Sequence, residues 1–151
     1  MSKKIVITGG LGYIGTELCK IYSGISWNNE ILVIDNRFIS ERVNQLRNWG
    51  IDFVHGDILD KNLVNKYCKD SDIVHHLAGI TDVPKVKNES SDDKDSKIKL
   101  VAEKGTQNIL DAISDKCKII FPSTHVVFEG IGKVTNDILE EEDTKPKLSY
   151  A

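Results

Sequence analysis

The feature that most restricts the fold of this chain is a glycine-rich turn between a short apolar run and a helix-forming segment. The run Lys4–Thr8 is followed directly by Gly9-Gly10-Leu11-Gly12-Tyr13-Ile14-Gly15. Glycine permits a tight turn out of a strand and lets the backbone approach a ligand closely. The helix that follows offers unpaired N–H groups and a positive dipole end to an anion. This order favours a phosphate-binding turn over a turn without a ligand, the alternative interpretation.

Short β-branched runs alternate with longer helix-compatible stretches along the whole chain. The predicted strands are Lys4–Thr8, Ile31–Asp35, Asp52–His55, Ile73–Leu77 and Lys118–Pro122. The predicted helices are Tyr13–Ser23, Ser40–Trp49, Lys61–Cys68 and roughly Lys97–Ile113. Most strands are apolar at consecutive positions, so we expect both of their faces to be covered. The pattern predicts an α/β fold, a Rossmann-type doubly wound parallel sheet with helices on both faces, forming one domain over residues 1–151.

The last predicted helix carries apolar or small residues at spacings of three and four. We expect one buried stripe made of Ile98, Val101, Ala102, Gly105, Ile109 and Ile113. The polar segment Asn88–Asp95 before it is interpreted as a solvated loop or a frayed helix start.

Composition excludes several classes of function. The 151 residues contain 20 Lys plus Arg against 23 Asp plus Glu, a net charge of −3, which disfavours a nucleic acid or an anionic membrane as partner. No apolar run approaches the roughly 18 residues of a membrane helix, and the start lacks the features of a signal peptide. Cys19, Cys68 and Cys117 are widely spaced, which is typical of reduced thiols in a cytoplasmic protein.

An acid stands where a nucleotide ribose would be bound. Asp35 ends the second predicted strand, and a carboxylate there hydrogen-bonds the hydroxyls of an adenosine ribose. Its charge would repel a 2′-phosphate, which favours NAD over NADP. Arg37 lies close enough to weaken that preference, but we interpret it as a solvated surface residue.

The spacing of Gly9, Gly12 and Gly15 resembles that of the extended short-chain dehydrogenase/reductase family, the NAD-dependent epimerases and dehydratases of nucleotide sugars. The resemblance runs over the whole chain. Gly56-Asp57-Ile58 is similar to the family's acid and apolar pair at the adenine, and His75–Gly79 to its His-x-Ala-x segment. The resemblance implies that NAD is bound by Gly9, Gly12, Tyr13, Ile14, Gly15, Asp35, Asn36, Asp57, Ile58, Leu77, Ala78 and Gly79.

Neighbouring histidines raise the question of a metal ion. His75 and His76 are adjacent in a predicted strand, so their side chains point to opposite faces and cannot easily share an ion. We therefore predict no metal site.

The segment Pro122–Phe128 is similar to the family's Ser-Ser/Thr-x-x-Val-Tyr-Gly segment, and Thr124 takes the position of the catalytic hydroxyl. Tyr150 stands where the family has the tyrosine of its Tyr-x-x-x-Lys motif. The resemblance implies that Tyr150 is the base, that Thr124 orients the same substrate oxygen, and that Thr81 and Thr124 contact the substrate. Considered alone, a Ser-Thr pair after a strand indicates a cap, and a single tyrosine indicates packing.

The resemblance implies an epimerase of nucleotide sugars, similar to UDP-glucose 4-epimerase, that oxidises its substrate transiently to a keto-sugar. The dehydratases of the family have Thr-Asp-Glu at the catalytic segment, where this chain has Thr124-His125-Val126. The absence of the two acids favours an isomerase over a dehydratase. The alternatives are a non-catalytic NAD(P)-binding module or sensor, and a reductase of another substrate. The chain stops one residue after Tyr150, so the motif's lysine and the family's C-terminal substrate region are absent. We expect residues 1–151 alone to bind NAD at most weakly and to show negligible turnover. The resemblance implies a homodimer for the full-length form.

Overall fold

The centre of the fold is a sheet of five parallel strands in the order β3-β2-β1-β4-β5. The computed structural model describes residues 2–25, 28–81, 92–131, 138–139 and 141–146. Its strands are β1 (Lys4–Thr8), β2 (Glu30–Asp35), β3 (Asp52–His55), β4 (Ile73–His76) and β5 (Lys118–Ile120). The chain first moves outward from β1 to β2 and β3, and then crosses back to β4 and β5. The direction of winding therefore changes between β1 and β4.

Helices connect the strands, as the alternation in the sequence predicts. They are α1 (Tyr13–Gly24), α2 (Ser40–Asn48), α3 (Lys61–Cys68), α4 (Asp92–Leu100) and α5 (Thr106–Ala112), with a π-helical segment at Val101–Gly105 and a 3-10 segment at His125–Ile131. The structure thus confirms all five predicted strands and the four predicted helical regions, with shifts at some of their ends.

Two apolar layers cover the two faces of the sheet. On one face, buried residues of β1 and β2 pack with α1 and α2, namely Ile5, Ile7, Leu11, Cys19, Val33, Val43, Leu46 and Ile51. On the other face, α3 and α5 supply the cover, and the buried residues are Val6, Ile34, Ile58, Val64, Cys68, Val74 and Ile109. The predicted doubly wound sheet with helices on both faces is confirmed.

Two of the strands end earlier than the apolar runs suggested. β4 stops at His76, although the N–H of Leu77 still donates to the carbonyl of Thr8 at 3.1 Å. β5 stops at Ile120 and not at Pro122, whose ring nitrogen has no hydrogen to donate to a neighbouring strand.

The helical region before β5 departs from the predicted buried stripe. Ile98, Gly105 and Ile109 are buried, but Ala102 is exposed. The π-helical segment explains this error, since its i to i+5 hydrogen bonds add a residue to the turn and a four-residue spacing no longer returns to the same face. Gly105 is buried as predicted and packs closely against Ile58, since a Cβ at Gly105 would lie 2.3 Å from Ile58 Cδ1.

The polar segment Asn88–Asp95 is part helix, because α4 begins at Asp92. Residues 88–91 lie outside the described part of the chain. Within the described residues, no helix is both long and apolar enough to cross a membrane.

The cysteines are free, and Cys19 and Cys68 are buried. Burial raises the pKa of the Cys19 thiol to about 12 and that of the Cys68 thiol to about 11. Both thiols therefore stay protonated and unreactive, in agreement with their interpretation as small apolar residues.

Candidate functional site

The candidate site lies at the carboxyl ends of β1, β2 and β4, where the direction of winding changes. Gly9 follows β1 and donates its N–H to the carbonyl of Ile34 at 2.8 Å, while Leu77–Gly79 follow β4 beside it. In open α/β sheets this point forms a crevice, because the helices leave it in opposite directions. Residues predicted from three separate parts of the sequence thus meet at one edge.

Two positions of the glycine turn leave no room for a side chain. Gly9 has a φ of +71°, and a Cβ there would lie 2.7 Å from the backbone nitrogen of Ala78. At Gly15 a Cβ would lie 2.5 Å from Gly10 Cα and 2.7 Å from the Gly9 carbonyl oxygen. The turn therefore packs tightly against both the segment after β4 and the first turn of α1.

The amino end of α1 is arranged to receive an anion. Its N-cap is Gly12, which supplies no side-chain acceptor, and its first turn holds no acidic residue. The first N–H groups of a helix have no partner within the helix, and they carry the positive end of its dipole. Tyr13 and Ile14 lie at this end with 86% and 66% of their surface exposed.

Asp35 lies buried behind the glycine turn with 4% of its surface exposed. Its Oδ2 accepts a hydrogen bond from the N–H of Leu11 at 3.0 Å, and its Oδ1 accepts one from the N–H of Arg37 at 3.0 Å. The carboxylate thereby ties the glycine turn to the end of β2.

Arg37 is not a freely solvated residue, and the interpretation from the sequence was wrong on this point. Its Nε donates to Asp35 Oδ1 at 3.2 Å and its Nη2 donates to Asp35 Oδ2 at 3.3 Å, although 54% of the side chain stays exposed. The planar guanidinium matches the two oxygens of a carboxylate, so it returns onto the acid two residues earlier.

The residues predicted at the adenine end form a second hydrogen-bonded group. Asn36 Nδ2 donates to Asp57 Oδ2 at 3.0 Å, and the N–H of Leu59 donates to Asp57 Oδ1 at 2.9 Å. Asn108 Nδ2 holds the carbonyl of the buried Ile58 at 3.0 Å. The turns after β2 and β3 are therefore fixed relative to each other and to α5.

A buried histidine holds the segment after β4. His76 Nδ1 lies 2.8 Å from Thr8 Oγ1, and its Nε2 lies 2.9 Å from Thr106 Oγ1. The N–H of Ala78 donates to the same Thr8 hydroxyl at 3.3 Å. Burial lowers the pKa of the His76 imidazole to about 4, so the ring is neutral at pH 7 and links two hydroxyls as one donor and one acceptor.

His75 points to the other face of the sheet. Its Nε2 lies 2.7 Å from the hydroxyl oxygen of Tyr22 on α1. The pKa of His75 is lowered mainly by burial and to a lesser extent by the positive charge of Lys118. The two adjacent histidines therefore have separate partners. The described part of the chain contains no cluster of His, Cys, Asp or Glu that could hold a metal ion.

The predicted catalytic and substrate residues lie only partly within the described chain. Thr124 is half-buried after β5, and its Oγ1 accepts the N–H of Val126 at 3.3 Å, so it caps the 3-10 segment. Thr81 is exposed after β4, the strand that pairs with β5. Tyr150 lies outside the described residues.

An open and mainly apolar depression follows Thr124. It is lined by His125, Val126, Phe128 and Ile138. Its position after β5 places it on the same edge of the sheet as the segment after β4.

Sequence reasoning missed several residues that shape the site. Arg42 Nη1 donates to the carbonyl of Leu11, and its guanidinium carbon lies 5.4 Å from the centre of the Tyr13 ring. Thr8 and Thr106 were missed as partners of His76. Thr8 could have been found from the pairing of β1 with β4, because that pairing places Thr8 opposite His76.

These features together suit a dinucleotide. A pyrophosphate requires a helix end without a capping side chain and a backbone that it can approach, and both are present at Gly12. A ribose requires polar groups next to that turn, and Asp35 with Arg37 provides them.

The family assignment follows from a comparison with protein-family models. Residues 6–150 match the model of the 3-beta hydroxysteroid dehydrogenase/isomerase family. The chain belongs to this family. The glycine spacing resembles that of the NAD-dependent epimerases and dehydratases, and the proteins similar to this chain confirm that resemblance.

One relative of this family member is the UDP-N-acetyl-alpha-D-glucosaminuronate decarboxylase of Bacillus cytotoxicus, 31% identical over all of this chain and 46% of the decarboxylase. A similar solved structure is the UDP-N-acetylglucosamine 4-epimerase of Methanobrevibacter ruminantium in complex with UDP-N-acetylmuramic acid. It is 26% identical with a TM-score of 0.77, over 99% of this chain and 46% of that one.

A UDP-glucose-4-epimerase from Stenotrophomonas maltophila, solved with bound NAD and formylated UDP-arabinopyranose, shares the fold with a TM-score of 0.78 at 21% identity. The match covers 98% of this chain and 44% of that structure. The chain therefore spans about half the length of the relatives that it matches.

Proposed function

We propose that residues 1–151 form the NAD-binding domain of a nucleotide-sugar epimerase that works by transient oxidation of its substrate to a keto-sugar. The observation that carries the proposal is the amino end of α1, which has no side-chain cap. The glycine turn before it is tightly packed at Gly9 and Gly15, and the N–H of Leu11 in this turn donates to the buried Asp35. Two similar structures are epimerases of UDP-sugars, and one of them was solved with NAD.

Distinct parts of the site would hold distinct parts of NAD. The turn from Gly9 to Gly15, with Tyr13 and Ile14, would bind the pyrophosphate. The ribose and adenine would lie at Asp35, Asn36, Asp57 and Ile58, and Leu77, Ala78 and Gly79 would support the remainder against the edge of the sheet. Bound NAD supplies an acceptor for the hydride of a sugar carbon and returns that hydride later.

Thr124 and Tyr150 would act on the substrate. In the proposal, Thr124 hydrogen-bonds the reacting oxygen and Tyr150 removes its proton, while Thr81 contacts the sugar. An ordinary phenol, with a pKa of about 10, is largely protonated at pH 7, so a tyrosine base requires positive charge nearby. The lysine four residues after this tyrosine in the resembled motif would supply it.

The finer parts of the proposal have separate support. An isomerase is favoured over a dehydratase because His125 and Val126 follow Thr124, where the dehydratases have two acids. The free cysteines support a reducing, cytoplasmic location. A homodimer of the complete protein follows from the resemblance alone.

The test uses the protein translated to its natural stop codon. We expect NAD-dependent interconversion of at least one UDP-, GDP- or dTDP-sugar. The reaction is monitored by chromatographic separation of the two epimers. Tyr150→Phe removes the base and should lower kcat by about 10²-fold or more. Absence of conversion for every such sugar, or unchanged turnover in Tyr150→Phe, would contradict the proposal.

Binding of NAD is measured on the same protein by calorimetry. Gly9→Ala forces a side chain into the backbone of Ala78 and into an unfavourable φ, so binding should be lost. Gly24→Ala is the matched control, since a Cβ at Gly24 meets no atom within 4 Å. It should leave the Kd for NAD unchanged.

A further inference from the structure

The chain beyond β5 returns to the 3-10 segment and is held there by backbone hydrogen bonds. The N–H of Lys145 donates to the carbonyl of Val127 at 2.8 Å, and the N–H of Gly130 donates to the carbonyl of Lys145 at 2.8 Å. Both bonds leave Lys145 on the same side, as in an extended residue that pairs with a neighbouring segment. We refer to Val127, Gly130 and Lys145 as the backbone clamp.

Two residue types in the sequence suit this contact. A Cβ on Gly130 would overlap the carbonyl oxygen of Lys145, so a glycine allows the two backbones to approach this closely. Pro146 follows Lys145, and the residue before a proline is disfavoured in the helical region and favoured in an extended conformation. The side chain of Lys145 is exposed, so the contact depends on its backbone.

The backbone clamp lies between the two predicted catalytic residues. The N–H of Val127 donates to the carbonyl of Thr124 at 3.4 Å, and Tyr150 stands five residues after Lys145. Five residues of fully extended chain span at most about 18 Å. A path of backbone hydrogen bonds therefore leads from Thr124 through Val127 to the segment that carries Tyr150.

The backbone clamp also shortens the loop that joins these two residues. Tyr150 follows Thr124 by 26 positions in the sequence. With the clamp formed, the connection consists of the three residues from Thr124 to Val127 and the five from Lys145 to Tyr150. Because the probability of loop closure falls with the 3/2 power of loop length, the effective concentration of Tyr150 at Thr124 rises about sixfold.

We propose that Gly130 is a positioning residue, and that its contact with Lys145 brings the hydroxyl of Tyr150 to the hydroxyl of Thr124. The inference rests on the proposed epimerase with Tyr150 as its base. Both hydroxyls must reach the same substrate oxygen, and a displacement of about 1 Å in such an arrangement costs about 10²-fold in rate. The backbone clamp contains no residue proposed to bind NAD, so it affects turnover and not the affinity for the cofactor.

The experiment uses the protein translated to its natural stop codon. Gly130→Ala forces a Cβ into the carbonyl of Lys145, and Lys145→Pro removes the N–H that the carbonyl of Val127 accepts. We expect each variant to lower kcat by about sixfold or more, while the Kd for NAD changes by less than about twofold. Gly24→Ala is the matched control, because a Cβ at Gly24 meets no atom within 4 Å, and it should leave both values unchanged.

Two further measurements separate positioning from a general loss of structure. A displaced Tyr150 loses the positive charge that favours its phenolate, so the pH of half-maximal kcat should move toward the ordinary phenol pKa of about 10. A nuclear Overhauser contact between the Tyr150 ring and the Thr124 methyl group should be present in the wild type and absent from both variants.

Each result separates this inference from the proposed function. Unchanged kcat in both variants would overturn the role of Gly130 and leave the proposed epimerase intact. Equal losses of NAD binding and turnover would also overturn it, since the backbone clamp would then only maintain the fold. A wild type that converts no nucleotide sugar would contradict the proposed function, and absence of the Overhauser contact from the wild type would contradict the positioning of Tyr150.

Discussion

Single buried polar residues determine how the edge of the sheet is built. His76 is 1% exposed and joins Thr8 on β1 to Thr106 on α5, and Ala78 donates to the same Thr8 hydroxyl. A buried polar group without a partner costs about 1 to 3 kcal/mol, so these hydroxyls and the imidazole depend on one another. His76 thereby acts as a positioning residue for the segment beside the glycine turn.

The low pKa of His76 predicts acid sensitivity. Burial lowers this pKa from 6.5 to about 4, so the unfolded chain binds more protons than the folded chain between these pH values. Stability from the neutral ring is complete above pH 6.5 and is lost as the pH falls to about 4, by on the order of 3 kcal/mol. Urea unfolding at several pH values measures this slope.

Replacement of the ring isolates the effect. His76→Gln should be less stable at pH 7 but should lose less stability between pH 6.5 and 4 than the wild type. His125→Gln removes an exposed imidazole and serves as the control. Identical pH slopes for wild type and His76→Gln would show that His76 does not carry the effect.

Individual residues also show where sequence reasoning succeeds. Asp35, Gly9 and Gly15 could be located from spacing alone, because their roles follow from the backbone geometry of a strand, a turn and a helix. The ion pair of Arg37 could not, because a rotatable side chain near an acid can turn either to solvent or to that acid. Only the contacts of its Nε and Nη2 with the Asp35 carboxylate distinguish these outcomes.

At the scale of elements, the ends of helices rely on different devices. α1 begins at Gly12 without a side-chain cap, whereas α3 begins at Asp60, whose Oδ1 accepts the N–H of Asn62 at 3.0 Å and that of Leu63 at 3.1 Å. A capped helix satisfies its own first N–H groups. The start of α2 at Ile39 also lacks a side-chain cap, but its first turn holds Glu41. The start of α1 has neither a cap nor an acidic residue, which leaves its N–H groups to an external anion.

The cap of α3 gives a prediction for stability. Asp60→Ala removes the acceptor for two backbone N–H groups and should lower the free energy of unfolding by about 1 kcal/mol, measured by urea denaturation. Asp70→Ala deletes an exposed carboxylate beyond the same helix and should change it by less than about 0.5 kcal/mol. Equal effects of the two substitutions would exclude the cap as the cause.

The types of the elements could be predicted from the sequence, but not all of their internal geometry. Consecutive apolar residues in β1 and β2 indicate buried parallel strands whatever their neighbours are. The π-helical segment at Val101–Gly105 leaves no pattern of its own, so Ala102 was placed on the wrong face. Such a segment depends on packing against other elements, which a local periodicity does not contain.

At the scale of the whole molecule, the strand order places β1 in the middle of the sheet. It is bonded to β2 on one side and to β4 on the other, and Val6 and Ile7 have no exposed surface. β5 occupies an edge, and its last residue, Ile120, is exposed. Opening of the edge therefore breaks fewer contacts than opening of the centre.

Hydrogen exchange measures this difference. We expect the amides of Ile5, Val6 and Ile7 to exchange only through global unfolding, and those of β5 to exchange through local opening that requires less free energy. Exchange is followed by NMR at several urea concentrations. Equal protection of β1 and β5 would show that the sheet opens as a single unit.

The central position of β1 also has a consequence during translation. β1 is made before β2 and β4, and β2 can pair with it early, but its other edge is open until β4 has left the ribosome. Synthesis of the roughly 40 residues between β2 and β4 takes about 2 to 8 s at about 5 to 20 residues per second. For that interval the nascent polypeptide presents one of its most apolar strands unpaired on one side, so β1 is exposed to non-native contacts until β4 pairs with it.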